Sequence, residues 1–315
     1  RLERAIGLRR RVVLRRWSIA ASLIVPLLIG VLYLNGRQII PEIPGRQLER
    51  IVPGISTAQL YLPDGNVVDL GKDSVCDLQL LEGGRFVNER GTLTYKGDSS
   101  EVKVAQYSEV RIPRGGEYKV VLPDGTIVWL NAESSLRFPT LFTGKERKVY
   151  AKGELYFDVK HDDTKPFIVE VEKDYLVRVL GTEFNLRAYS GFPVVTTLVE
   201  GKVKVNDQDI VAGEQAVYSK NDGKTTVRQV EVEQYVAWQE GTFVFRNERL
   251  ENVMKTLGRW YGVEFHFIDE RAKEIRIGAR FGRYDDMQPI VDMIKKTNLV
   301  EVLQTNRCLY ISEKK

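Results

Sequence analysis

Between residues 58 and 235 apolar and polar positions alternate in short runs, among them AQLYL, NVVDL, YKVVL, TIVWL, LYFDV, FIVEV, YLVRVL and EFNLRAY. A period of two turns successive side chains to opposite faces, so each run reads as a strand with one face buried. No helical periodicity longer than two turns interrupts them. Many short strands at regular spacing predict a sandwich, barrel or solenoid. The tetrapeptide LPDG recurs between such runs, at Pro63, Asp64, Gly65 and again at Pro123, Asp124, Gly125. Proline presets the first turn position, aspartate suits the second and glycine accepts the left-handed closure, so both copies read as structural hairpin turns. Asp124-Gly125-Thr126 reverses the order of the aspartic-peptidase signature, and the first copy continues Asp64-Gly65-Asn66, which speaks against catalysis by this pair.

From about residue 240 the period changes. Leu250, Val253, Met254, Leu257 and Tyr261 form one apolar stripe at helical spacing, with Asn247 as the expected cap and Gly262 as the stop. A second stripe is Met287, Ile290, Val291 and Ile294, with Asp285 and Asp286 before it, Pro289 in its first turn and Lys295 and Lys296 in its last. With the flanking β-type runs the order is β-α-β-β-α-β-β, a small α+β unit with both helices expected on one face of a sheet.

Ahead of the β-rich region, Trp17 to Leu34 pass without a charge. As a helix these eighteen residues span about 27 Å, close to the thickness of a bilayer core. Pro26 is tolerable in a membrane helix, Trp17 and Tyr33 sit where amphipathic rings favour the interface, and Arg15 and Arg16 flank the span. A cleaved signal peptide is the competing reading, but no small-x-small site follows. The arginine excess before Trp17 places the N-terminus in the cytoplasm and the rest outside, which in a Gram-negative cell is the periplasm. The opening Arg1 in place of Met suggests a truncated or processed chain.

The expected organisation is thus a basic cytoplasmic flank at 1–16, a transmembrane helix at 17–34, a Pro- and Gly-rich periplasmic linker at 35–57, a mainly β sandwich or solenoid-like domain at 58–235, and the α+β domain at 236–315. The formal charge of +4 comes from the first sixteen residues, where seven arginines face Glu3 alone, so no nucleic-acid surface is expected on the folded body. Two cysteines, Cys76 and Cys308, make no disulfide framework; they read as unpaired or as one bridge between lobes. His161 and His266 are the only histidines and lie in different domains, so no HExxH or histidine-rich metal site is present. His161-Asp162-Asp163 reads as a polar turn. No glycine-rich nucleotide loop and no G-x-S-x-G occurs, so neither enzyme nor cofactor is expected. A membrane-anchored carbohydrate-binding module, stacking sugars on Trp129, Trp238 and tyrosines, is the alternative from a different class, and a periplasmic hydrolase is a third.

The ordered series YSEVRIPRGGEYKVVLPDGTIVWLNAESSLRFP, GELYFDV, KPFIVEV, LGTEFNLRAY, TTLVEGKVKV and AGEQAVY resembles the FecR-type anti-sigma factors of the Bacteroidota branch. Trp238, GTFVFRNERL and VMKTLGRWYGV are similar to the C-terminal domain of that family, which resembles the short N-terminal domain of secretins and TonB-dependent transducers. The likeness runs from about 105 to 315, more weakly over 58 to 104. It implies a single-pass inner-membrane regulator whose cytoplasmic region holds an extracytoplasmic-function sigma factor. Its periplasmic part would read the signalling domain of an outer-membrane TonB-dependent transducer, and a regulatory protease would cut at 35–57 or within the span. Most of the sigma-binding region would precede Arg1. The expected docking residues for the transducer are Arg259, Trp260 and Tyr261, unless Trp260 closes the core beside Tyr261.

Overall fold

The computed structural model describes residues 50–80, 84–97, 106–172 and 175–314. The predicted span with Arg15, Arg16, Trp17, Pro26 and Tyr33, and most of the expected linker, lie outside the described residues. Among the described residues no helix is long and apolar enough to cross a membrane. The first strand, Ile55–Tyr61, begins inside the segment expected to be linker.

Among the described residues eighteen strands form the β body, and they lie on two faces of one core. One face runs through Val67–Gly71, Ile55–Tyr61, Tyr107–Arg111, Ser135–Pro139, the first half of Arg147–Asp158, Phe167–Val171, Tyr175–Val179 and Lys202–Val205. The other runs through Thr92–Lys96, Gly116–Val121, Ile127–Leu130, the second half of Arg147–Asp158, Glu183–Ala188, Val194–Glu200, Glu214–Ser219 and Lys224–Gln229. Strand Arg147–Asp158 therefore belongs to both, leaving one for the other at Gly153. There φ is +85°, which disfavours a side chain, and a Cβ would lie 2.6 Å from the Ser134 backbone. Between the faces, Phe157 stacks on Phe184 at 4.9 Å and meets Phe167 edge-on at 6.3 Å.

Both LPDG copies form the expected hairpin turns, with φ of +87° at Gly65 and +86° at Gly125. Asp64 accepts from the backbone of Asn66 at 2.9 Å, and Asp124 from that of Thr126 at 3.0 Å. The second copy does more. Arg147 is 2% exposed and donates to Asp124 at 2.8 Å, to the carbonyl of Lys160 at 2.6 Å, to that of Lys165 at 2.8 Å and to that of Leu180 at 3.2 Å. One buried guanidinium thus ties three turns together, with Asp124 as its counterion. The 161–163 segment is the polar turn expected, Asp162 accepting from the backbone of Thr164 and Lys165.

The C-terminal lobe has the predicted element order, with α1 at Leu250–Tyr261 and α2 at Met287–Lys296. Its strands do not form one sheet with both helices on one side. Thr242–Arg249 pairs with Arg276–Gly282, while Glu264–Phe267, Cys308–Glu313 and Val300–Thr305 form a separate three-stranded sheet. Each helix carries the chain from the first sheet to the second. Phe243 and Ile277 from one and Val302, Leu309 and Ile311 from the other consequently share one apolar cluster with the helix stripes. Gly262 ends α1 in the left-handed conformation. Asn247 is no cap: it lies in strand Thr242–Arg249 with φ of +50°, at the irregularity between Phe245 and Glu248, and α1 starts at Leu250.

Because Asp124 neutralises a buried guanidinium and Asp64 only shapes an exposed turn, the same change should act differently at the two copies. Asp124→Asn is expected to cost about 3 kcal/mol of stability and Asp64→Asn less than about 1 kcal/mol, read from chemical-denaturation midpoints.

Candidate functional site at the joint between body and lobe

Alternation predicts that the outward residues of the second body face are solvated, yet a cross-strand row on that face is buried. Asn185 pairs with Thr197 and Thr197 with Gln215, and these are 2%, 0% and 0% exposed. At the Asn185 end the cover is Trp238, in the 3₁₀ turn Ala237–Glu240, 7% exposed and donating to Asn185 Oδ1 at 3.0 Å. A buried polar side chain needs partners, and here they form a chain. Asn185 and Asn131 donate to Glu154 at 3.3 and 2.8 Å, Arg283 of the lobe donates to Asn131 at 2.6 Å and to Glu117 at 3.1 Å, and Tyr284 donates to Glu117 at 2.8 Å.

Arg283 is the centre of this network. Its side chain is fully buried, and its guanidinium lies 3.7 Å from the centre of the Trp260 ring, with Trp238 and Phe243 farther off. Burial pulls its pKa below the ordinary guanidinium value, and Glu117 opposes that shift. The group stays charged, so its stability rests on Glu117, Asn131 and the π face of Trp260. Its backbone is held as well: Arg283 N–H donates to the Gly241 carbonyl at 2.8 Å, and its carbonyl accepts from Trp260 Nε1 at 2.6 Å.

A second tie forms where α1 ends. The last carbonyls of a helix lack helical donors, and the body supplies some of them: Arg114 donates to the carbonyl of Gly258 and, just past the helix, to that of Val263, and Gly115 N–H to that of Arg259 at 2.8 Å, while the lobe's own Arg307 serves Tyr261. Arg259 stacks over Tyr189 at 4.0 Å and Lys255 over Phe192 at 4.8 Å. A third tie is the entering chain. Arg50 bonds to Asp286 at 2.9 Å, Ile51 is buried in the lobe's apolar cluster, and Ile55 N–H donates to the Gly115 carbonyl at 2.9 Å. Gly54 passes so close that a Cβ there would lie 2.7 Å from the Trp260 ring and 2.6 Å from the Gly115 carbonyl oxygen.

The expected docking triplet therefore faces inward. Trp260 and Tyr261 are each 1% exposed, Tyr261 donates to the Asp285 carbonyl at 2.8 Å, and Arg259 covers a body tyrosine. The helix end is the seam of the two lobes, because its unsatisfied carbonyls and indole N–H find donors and acceptors there. The sugar-stacking reading loses Trp238, and Trp129 is half-buried beside Tyr156 with Lys119 4.7 Å from its ring centre. A cleft between Trp238, Glu154, Arg187, Phe243 and Thr256 has a volume of about 60 Å³, room for a few waters. Sequence reasoning missed Arg283, Glu117, Arg114 and Asn131. A double glycine beside Arg114 was the available sign of close approach; the lone Arg283 in a loop gives none.

A family model described as FecR protein matches residues 108–204, and one described as FecR, C-terminal, matches 242–311. The fold is similar to crystal structures of a candidate anti-sigma factor from Parabacteroides distasonis ATCC 8503, solved at 1.65 and 2.50 Å resolution. In each comparison the TM-score is 0.60 and the identity 26%, over 66% of this chain and 99% or 100% of the other. No curated protein matches.

Removing the central charge should loosen the joint. Arg283→Met is expected to cost about 3–5 kcal/mol, and Arg283→Lys to recover less than half of that, since an ammonium cannot meet Glu117 and Asn131 while lying flat on Trp260. Chemical denaturation of the three proteins checks both.

Proposed function

This chain belongs to the FecR family, whose two models together match more than half of it, and from that premise we propose that it is a single-pass inner-membrane anti-sigma factor. Residues 17–34 span the membrane in this reading, with residues 1–16 in the cytoplasm and the β body and lobe in the periplasm. Inside, sequence N-terminal to the span holds an extracytoplasmic-function sigma factor. Outside, the lobe meets the signalling domain of an outer-membrane TonB-dependent transducer, and a regulatory protease cuts within 35–57 or the span. The protein works by contact, without turnover.

The observation that carries the relay is the seat of residues 50–55. The chain that leads back to the predicted span is packed into the lobe by Ile51 and Arg50 and into the body by Ile55. A partner that shifts lobe against body therefore pulls on the segment next to the membrane. With Arg259, Trp260 and Tyr261 enclosed in the joint, the transducer is assigned to the free edge of the three-stranded sheet. There strand Val300–Thr305 is paired on one side only among the described residues, and Leu299 and Leu303 are 47% and 39% exposed. An open edge accepts a partner's strand through its backbone.

Alkaline-phosphatase fusions after residue 60 should be active and fusions before residue 17 inactive, and deletion of the gene should change the transcripts of one sigma regulon. A cytosolic body, or an unchanged transcript profile, defeats the proposal. Gly54→Ala, which forces the entering chain away from Trp260, is expected to raise uninduced sigma output about fivefold or more in a reporter strain at equal protein level.

A further inference from the structure

The three-stranded sheet of the lobe turns one face inward, with Phe265, Phe267, Leu309 and Ile311 in or against the apolar cluster. Alternation then sets Glu264 and His266 on the opposite face of the first strand and Cys308 and Tyr310 on the opposite face of the second. The two strands run parallel with Glu264 in register with Cys308 and His266 with Tyr310. A carboxylate, an imidazole and a thiol are thereby brought together, with one donor atom from each lying within 4.8 Å of the others. The His266 ring is stacked on Tyr310, ring centres 5.5 Å apart and planes 29° apart. Cys308 is half-buried and not in a disulfide, and neither is Cys76 of the β body.

We propose that Glu264, His266 and Cys308 form a binding site for a divalent transition metal of the zinc class. The donor set decides the class. Thiolate and imidazole suit zinc and its neighbours and do not suit magnesium or calcium, which take oxygen donors. Bonds of about 2.0–2.3 Å around zinc set donor atoms roughly 3.5 Å apart, so the three side chains close on an ion with movements of about 1 Å, well inside rotamer freedom. Three protein ligands leave the fourth tetrahedral position open to water or to a partner's side chain. Because the ligands come from two adjacent strands, the bound ion clamps the edge strand Glu264–Phe267 to Cys308–Glu313 and stabilises the lobe by mass action.

The test uses the full chain and Co²⁺ as a spectroscopic stand-in. One equivalent of Co²⁺ should give a thiolate-to-cobalt charge-transfer band that Zn²⁺ bleaches. The band should vanish in Cys308→Ser, persist in Cys76→Ser, and need at least tenfold more metal in His266→Ala. Stoichiometric Zn²⁺ should also slow alkylation of Cys308 while leaving Cys76 unchanged. All three side chains stand on the outer face and touch no core, so the variants fold, and a denaturation curve of each confirms it. Absence of the band, its survival in Cys308→Ser, or equal alkylation of Cys308 with and without Zn²⁺ overturns the site.

Discussion

A guanidinium removed from water needs its charge and its donors matched inside the protein, and for Arg283 the partners of Nε and Nη2 exist only where the lobe rests on the body, while buried Nη1 has no hydrogen-bond partner among the described residues. Glu117 and Asn131 belong to the body; Trp260, whose ring carries the guanidinium, belongs to the lobe. Neither lobe alone completes the set. Separating them would leave Arg283 facing only aromatic rings of its own lobe and would uncover Asn185 beneath Trp238. The joint is specified by this matching requirement more than by apolar area, since buried charge pairs fix geometry while contributing little net stability.

Polar joints have a further property. Apolar area lost on opening has no substitute in water, but a hydrogen bond lost on opening is replaced by one to solvent. The ties from Arg114 and Gly115 to the end of α1, and from Arg50 to Asp286, are of the replaceable kind. Ile51 and Trp260 are of the other kind, buried in the lobe and adjoining the entering chain at Gly54. A joint with a replaceable rim around a small apolar centre can be biased by a partner of modest affinity. A signalling protein needs this of a hinge, and a purely apolar seam would not provide it.

The legible features of the sequence were those set by local periodicity. The LPDG turns, the two helical stripes, the glycine stop at Gly262 and the order β-α-β-β-α-β-β all follow from rules spanning a few residues. What failed has two main causes. Period two tells which residues share a face but not what covers that face, so it gives no sign that Asn185 lies under Trp238 or that Thr197 and Gln215 beside it are buried. The same gap left Trp260 open between a docking residue and a core residue, and hid Arg283. The single sheet expected in the lobe failed because strand pairing is non-local: a βαβ pattern does not say whether its two strands are neighbours.

The placement of α1 also constrains how the lobe can meet a partner. The helix spends its C-terminal turn on Arg114, Gly115 and Tyr189 of the body, and α2 has its first turn against Arg50 and Ile51. The N-terminal end of one helix and the C-terminal end of the other are thus committed to the joint. Among the surfaces that remain is the three-stranded sheet, whose edges are Glu264–Phe267 and Val300–Thr305. The first edge carries exposed Glu264 and His266 and is followed by exposed Ile268; the second carries exposed Glu301 and Leu303 and is preceded by exposed Leu299. Strand addition is favoured where backbone groups are unpaired and flanking side chains are apolar, and charged residues on an edge oppose it. Each edge thus carries one exposed carboxylate and borders one exposed apolar residue, so charge does not separate them; what distinguishes Val300–Thr305 is Leu303, an apolar side chain exposed within the strand itself.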